Sequence, residues 1–252
     1  MYHNRVVAVV IPALNEEQSI HKVIADLKSL TETSSSLPLI DDIVVCDNGS
    51  SDSTALLAKA AGAKVISEPE PGYGRACLAG IAALQSPDIV VFVDADHSAT
   101  VSEVTLMLEQ ILQGADLVIG SRSLGTQQRG AMNIQQRFGN WLASKLIHFL
   151  WQHPITDLGP FRAISYRALE KLSMQDKTFG WTVEMQVKAI QNHMKVSEVP
   201  VSTMKRVGRS KISGTISGTI GAAIGIFGMI FNLYSQEWQS NGSLAAKPKE
   251  SE

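Results

Sequence analysis

Short apolar runs alternate with amphipathic stretches from residue 6 to about residue 120. Residues 6–11 are β-branched and halted by Pro12, the pattern of a buried strand. Residues 16–30 then set Ile20, Val23, Ile24, Leu27 and Leu30 at helical spacing, before a polar loop at 31–36. The same reading predicts strands at 42–46, 64–66, 89–93 and 117–119. It predicts helices at 54–61, closed by Gly62, and at 74–84 and 102–112. Strand alternating with helix implies an α/β fold with a mostly parallel, Rossmann-like sheet flanked by helices.

The second half changes character. Residues 137–150 form an amphipathic helix carrying Trp141, Leu142, Leu146 and Phe149, broken by Pro154. A loop with Asp157, Gly159 and Pro160 leads to helices near 166–172 and at 183–191, then a strand at 196–199. Residues 212–236 carry no charge. As a helix their apolar part of about 22 residues would reach roughly 33 Å, enough to cross a bilayer. Ile216, Ile220, Ile224, Phe227 and Phe231 share one face, and Gly214, Gly218, Gly221, Gly225 and Gly228 another. Lys205, Arg206, Arg209 and Lys211 flank the near end and suit a cytosolic membrane surface. Three units follow: a catalytic domain at 1–211, an apolar helix at 212–234 that spans, lies on a membrane, or packs, and a disordered tail at 235–252. The glycine stripe also suits a homo-oligomer.

With 252 residues, 44% of them hydrophobic, the chain can bury one full core. A formal charge of −2 gives no whole-molecule attraction to nucleic acid, and none is expected as a partner. Cys46 and Cys77 form no disulfide framework and read as buried reduced thiols, hence a reducing, cytoplasmic setting, with the basic-flanked apolar stretch placing the chain at the inner membrane face. The apolar run at 6–14 is short, holds Pro12 and leads into acidic residues, so it does not read as a secretory signal.

Candidate chemistry gathers at strand ends. Asp94-Ala95-Asp96 closes the fourth strand, and Mg²⁺ or Mn²⁺ on a diphosphate needs one or two carboxylates plus phosphate oxygens and water. Asp47 ends the second strand, where a carboxylate can accept the imino N–H of uracil or guanine. Asp52 or Ser53 caps the next helix. Pro12, Asn15 and Glu16 follow the first strand, either as a plain strand-to-helix turn or against a base or ribose. Gly72-Tyr73-Gly74-Arg75 opens a helix whose N-terminus can hold phosphate. Arg122, Arg129 and Arg137 can grip an anionic acceptor. His97, His148 and His153 lack metal-ligand spacing.

In this order these elements resemble the family 2 glycosyltransferases of the glycosyltransferase-A fold, most of all dolichyl- and polyprenyl-phosphate mannose or glucose synthases. Residues 12–16 look like the family's first nucleotide contact, and Asp47 like its base-binding aspartate. Gly74 and Arg75 sit in its Gly-rich motif, and Asp94 and Asp96 match its metal motif. Gly120-Ser121-Arg122 and Arg137 resemble acceptor-phosphate contacts. Residues 156–162 resemble the acceptor-side Asp loop, and 206–211 the basic loop over the diphosphate. His97-Ser98 replaces the frequent Leu-Gln, and Gly159-Pro160 a frequent Ser-Gly. The resemblance implies inverting, metal-dependent hexose transfer from UDP-glucose or GDP-mannose to a lipid phosphate. Asp96, Asp157 and Arg206 would be catalytic, Lys211 would contact the diphosphate, and Asp157 or Glu184 would be the base for an alcohol acceptor. A soluble or other hydroxyl acceptor is the first alternative. A non-catalytic nucleotide-sugar-binding scaffold is another. A nucleotidyltransferase is discounted, because its Gly-rich loop with Arg and Lys is absent at residues 12–16.

Overall fold

A computed structural model of the chain describes residues 2–32, 36–208 and 216–245. Arg209 and Lys211 therefore lie outside the described residues. Four parallel strands come first: β1 (Val7–Ala13), β2 (Asp42–Asp47), β3 (Lys64–Ser67) and β4 (Ile89–Phe92). β5 (Leu117–Ser121), β6 (Arg162–Ser165) and β7 (Val196–Pro200) complete a sheet of order β3-β2-β1-β4-β6-β5-β7. Every residue of β1 is buried, as a central strand covered on both faces requires.

The helices are α1 (Ile20–Ser29), α2 (Thr54–Ala60), α3 (Tyr73–Ala82), α4 (Val104–Leu112), α5 (Ile134–Trp151), α6 (Tyr166–Leu172), α7 (Trp181–Gln191) and α8 (Ile216–Ala245). Side-chain alternation splits the core across the sheet. Val7, Val9 and Ile11 pack with Ile24 of α1 and Leu108 of α4. Val10 and Phe92 pack with Cys77 of α3, Leu169 of α6 and Trp181 of α7. Cys46 and Cys77 are buried free thiols.

From β1 the chain builds outward through β2 and β3, then returns to lay β4 on β1's other side. That reversal opens a crevice beyond the carboxyl ends of β1 and β4.

β6 is the strand that hydrophobic patterning does not reveal. It is four residues long, opens on Arg162, and runs antiparallel to both β4 and β5. Arg162 is fully buried, which pulls its guanidinium down to about 10. It stays charged at neutral pH, and carbonyl oxygens of Gly159 and Thr182 accept its N–H groups, as a buried charge requires.

The expected tail is corrected over residues 235–245; residues 212–215 and 246–252 lie outside the described residues. The helix continues to Ala245, through the first part of the expected tail. Glu237 helps hold it, accepting from Trp151 Nε1 at 2.6 Å and Gln191 Nε2 at 2.8 Å. Ile230 and Leu233 are buried against Ile147 of α5 and Val187 of α7. Gly225 meets its own chain: a Cβ there would lie 3.3 Å from Phe179 Cβ and 3.4 Å from the Gly180 nitrogen. Part of the glycine stripe thus serves intramolecular packing. Among the described residues no helix is long and apolar enough to cross a membrane.

Candidate active site

A cavity of about 250 Å³ occupies the crevice at the ends of β1 and β4. Pro12, Glu16, Tyr73, Asp94, Asp96 and Arg206 line it, with Asn48, Gly72 and Phe179. β1 ends in the Pro12-Ala13 edge and β4 leads into the acidic pair, so the two strands deliver both walls.

The acidic pair is held in place. Asp94 Oδ1 accepts the Tyr73 hydroxyl at 3.1 Å, and Asp96 Oδ1 accepts the Ser98 amide at 3.0 Å. Burial, and then the Asp96 charge, push the Asp94 carboxyl up to about 7. The Tyr73 hydrogen bond and the Arg206 and Arg122 charges pull the other way. Burial, with Asp94 second, raises the Tyr73 phenol, so it stays a donor at neutral pH. Two crowded carboxylates of this kind suit a divalent cation. Among the described residues no group of three or more His, Cys, Asp or Glu is placed to hold a metal. Two protein oxygens completed by phosphate and water match Mg²⁺ or Mn²⁺ better than a full protein cage.

Arg206 bridges the turn after β1 and the acidic pair after β4. Its Nη2 lies 2.8 Å from Glu16 Oε1 and its Nη1 3.4 Å from Asp96 Oδ2. The Val207 amide adds a 3.0 Å bond to the Asp96 carbonyl. Glu16 is itself buried and fixed by Ser19. Asn15, at φ +52°, takes the Ser51 amide on its side chain and so ties the β1 turn to the β2 turn. Asp47 is buried beside Asn48. Its Oδ2 accepts the Ser50 amide at 3.3 Å, and its buried Oδ1 has no hydrogen-bond partner among the described residues.

The glycine-rich helix start has a different role from the one expected. The Gly74 and Arg75 amides donate to the Thr178 and Lys177 carbonyls, so this N-terminus is closed by protein. Gly74 is glycine because a Cβ would stand 2.1 Å from the Asp176 carbonyl oxygen. Arg75 pairs with Glu70 at 2.6 Å. Neither Gly74 nor Arg75 lines the cavity; Gly72 and Tyr73 do.

The acceptor-side residues divide. Arg122 follows β5, and its Nε and Nη2 lie 2.9 and 2.6 Å from the two Asp157 carboxylate oxygens. The Arg122 amide adds a third contact at 2.6 Å. Burial alone would lower the Arg122 guanidinium, but Asp157 outweighs it and the shift is upward. Asp157 is fully buried and its carboxylate is taken up by Arg122, so it is not poised as a base. Glu184, expected at the acceptor, is 2% exposed. It accepts the Gln175 and Asp176 amides and pairs with Lys188, which fixes the loop before α7. Arg137 is exposed in the first turn of α5.

Pattern reading missed three contributors. Tyr73 orients Asp94. Phe179 lines the cavity from the turn that α8 supports. Asn48 donates to the Glu68 and Glu70 carbonyls and accepts the Gly72 amide, which shapes the approach to α3. An Asn-Gly pair announces a turn, and nothing local says that its side chain spans twenty residues.

The sequence profile described as Glycosyl transferase family 2 matches residues 8–173. An uncharacterized glycosyltransferase of Mycobacterium tuberculosis is 34% identical over 215 residues, covering 83% of this chain and 91% of its own. The dolichyl-phosphate hexose transferase of Haloferax volcanii is 31% identical over 207 residues, covering 81% of this chain and 86% of its own. A solved structure with a similar fold is the glucosyl-3-phosphoglycerate synthase of M. tuberculosis in complex with Mn²⁺, UDP and phosphoglyceric acid. It aligns with a TM-score of 0.74 at 24% identity, over 92% of this chain and 79% of that one.

Proposed function

The chain belongs to glycosyl transferase family 2, and from that premise we propose that it moves a hexose from a nucleoside-diphosphate sugar to a phosphate-bearing lipid of the polyprenyl-phosphate type, with inversion and with Mg²⁺ or Mn²⁺. One observation carries the choice of a phosphate nucleophile: Asp157 and Glu184, the candidate bases, are both buried and committed to protein partners. A phosphate is already ionised at neutral pH and attacks without a base.

Each residue then has a task. Asp94 and Asp96, fixed by Tyr73 and Ser98, would hold the cation. When bound, the cation neutralises diphosphate charge and makes the nucleotide a better leaving group. Arg206, between Glu16 and Asp96, adds positive charge where the diphosphate departs. The partnerless Asp47 Oδ1 suits the imino N–H of uracil or guanine. Pro12, Asn15 and Glu16 shape the nucleotide side. Arg122 has Nε and Nη2 committed to Asp157, which leaves Nη1 for the acceptor phosphate, with Arg137 as a second cation. Lys211 is assigned to the diphosphate by its motif alone.

The lipid is supported by the name of the Haloferax relative and by exposed apolar side chains. Ile134, Phe138, Trp141 and Phe149 on α5, and Ile220, Ile224 and Phe231 on α8, are all more than half exposed. They suit peripheral contact with a cytosolic membrane face. The phosphoglyceric acid in the similar solved structure favours a second reading, a soluble phosphorylated acceptor. A screen decides: purified chain, Mn²⁺ or Mg²⁺, UDP-glucose or GDP-mannose, and either a short-chain polyprenyl phosphate or 3-phosphoglycerate. Hexosyl polyprenyl phosphate is the expected product. Transfer to phosphoglycerate alone would replace the lipid reading with the soluble one.

A further inference from the structure

The loop from Thr156 to Gly159 belongs to no strand or helix, and side chains from four elements and from the end of β5 hold it. From β7, Glu198 accepts the Thr156 amide at 2.9 and 3.1 Å, the Thr156 hydroxyl at 2.9 Å and the Asp157 amide at 3.2 Å. Gln186 of α7 donates to the Asp157 carbonyl at 3.2 Å, and Asn140 of α5 accepts the Leu158 amide at 2.9 Å. Arg162 of β6 donates to the Gly159 carbonyl at 3.0 Å. Ser121, the last residue of β5, meets the Thr156 hydroxyl at 2.6 Å. Buried backbone must find partners, and here the partners are side chains.

Glu198 is the only charged group that reaches two successive amides of this loop, among the contacts described. It sits opposite Ile119 in the β5–β7 pairing, so it is anchored to the strand that delivers Arg122. We propose that Glu198 is a positioning residue for the acceptor: it fixes the Thr156-Asp157 backbone so that Asp157 sets the Arg122 guanidinium in its working orientation. This rests on the reading of Arg122 as an acceptor-phosphate contact. Glu198 does not line the donor cavity, so its influence falls on the acceptor and not on the nucleotide.

Glu198→Gln tests it. The amide keeps the shape but turns one acceptor into a donor facing N–H groups, which removes at least one charge-assisted bond. Three quantities are measured, with the acceptor that works in the screen above and whichever of UDP or GDP the wild type binds. The expected result is an acceptor KM raised about tenfold or more, with nucleotide Kd in the presence of Mn²⁺ unchanged within about twofold. In a cycle with Arg122→Lys, the double variant should match Arg122→Lys alone, since both act on one contact. Fully additive effects, an unchanged acceptor KM, or a parallel loss of nucleotide affinity would each overturn the proposal. If Arg122→Lys alone leaves acceptor KM untouched, the acceptor-site reading fails and takes this proposal with it. If Arg122→Lys weakens the acceptor and Glu198→Gln does not, only the positioning role fails. Should Glu198→Gln not fold by circular dichroism, Thr156→Val, which removes only the hydroxyl shared by Glu198 and Ser121, is judged by the same outcomes.

Discussion

Asp94 carries an electrostatic load that a purely structural residue would shed. Its carboxylate is crowded by Asp96 and desolvated, and its carboxyl is raised to about 7. Replacing it with a neutral isostere removes like-charge repulsion and burial of charge. Asp94→Asn, stripped of divalent ions, is therefore expected to melt a few degrees above the wild type while losing transfer activity. A variant that melts lower would show that the carboxylate stabilises the fold instead. The acidic pair stood out in the sequence because two carboxylates end a wholly apolar run, and the structure places both on the cavity wall. Asp157 was singled out in the sequence, but its pairing with Arg122 was not. Its carboxylate is taken up by a half-buried arginine thirty-five positions earlier, and residue type alone does not announce such a long-range pair. Tyr73 was seen only as part of a glycine-rich helix start, and Glu198 gave no signal, since strand glutamates are ordinary on solvated surfaces.

Helices and strands were legible where periodicity was long. α1, α4 and α7 each repeat their apolar face over several turns, and their expected positions agree with the structure to within a few residues. β6 was not, because four residues starting with arginine carry no alternation. The start of α3 shows how a motif can mislead at this scale. Glycine there reflects close approach of the 176–178 backbone, not an open phosphate site. Gly74→Ala is expected to destabilise the fold by about 1–3 kcal/mol in urea titrations, because backbone must move to admit the methyl group. A neutral result would mean that this approach is loose. α8 was legible as an apolar helix, while its continuation to Ala245 depends on long-range bonds from Glu237. A chain ending at Lys211 exposes the partners of Ile230 and Leu233 and removes support from Phe179. It should melt well below the full chain and bind nucleotide more weakly. Unchanged nucleotide affinity would uncouple α8 from the cavity.

For the molecule as a whole, alternating strands and helices were enough to specify an α/β sheet. The fold then dictated where chemistry could sit, at the reversal between β1 and β4. The exposed apolar side chains of α5 and α8 give the molecule surface that water does not favour. Vesicles containing anionic lipid should retain the chain in sedimentation. Phe138→Ser with Trp141→Ser should release it without changing nucleotide affinity, and retention of that variant would move the membrane contact elsewhere. The central claim is that carboxylates beyond β4 hold the cation on which hexose transfer depends. The most direct measurement is the rate of hexosyl transfer after EDTA treatment and Mn²⁺ return, in wild type and Asp96→Ala. The account predicts loss with EDTA and recovery with Mn²⁺ in the wild type, and near-complete inactivity of Asp96→Ala throughout. A transfer rate indifferent to EDTA, or an Asp96→Ala variant that turns over normally, would contradict it.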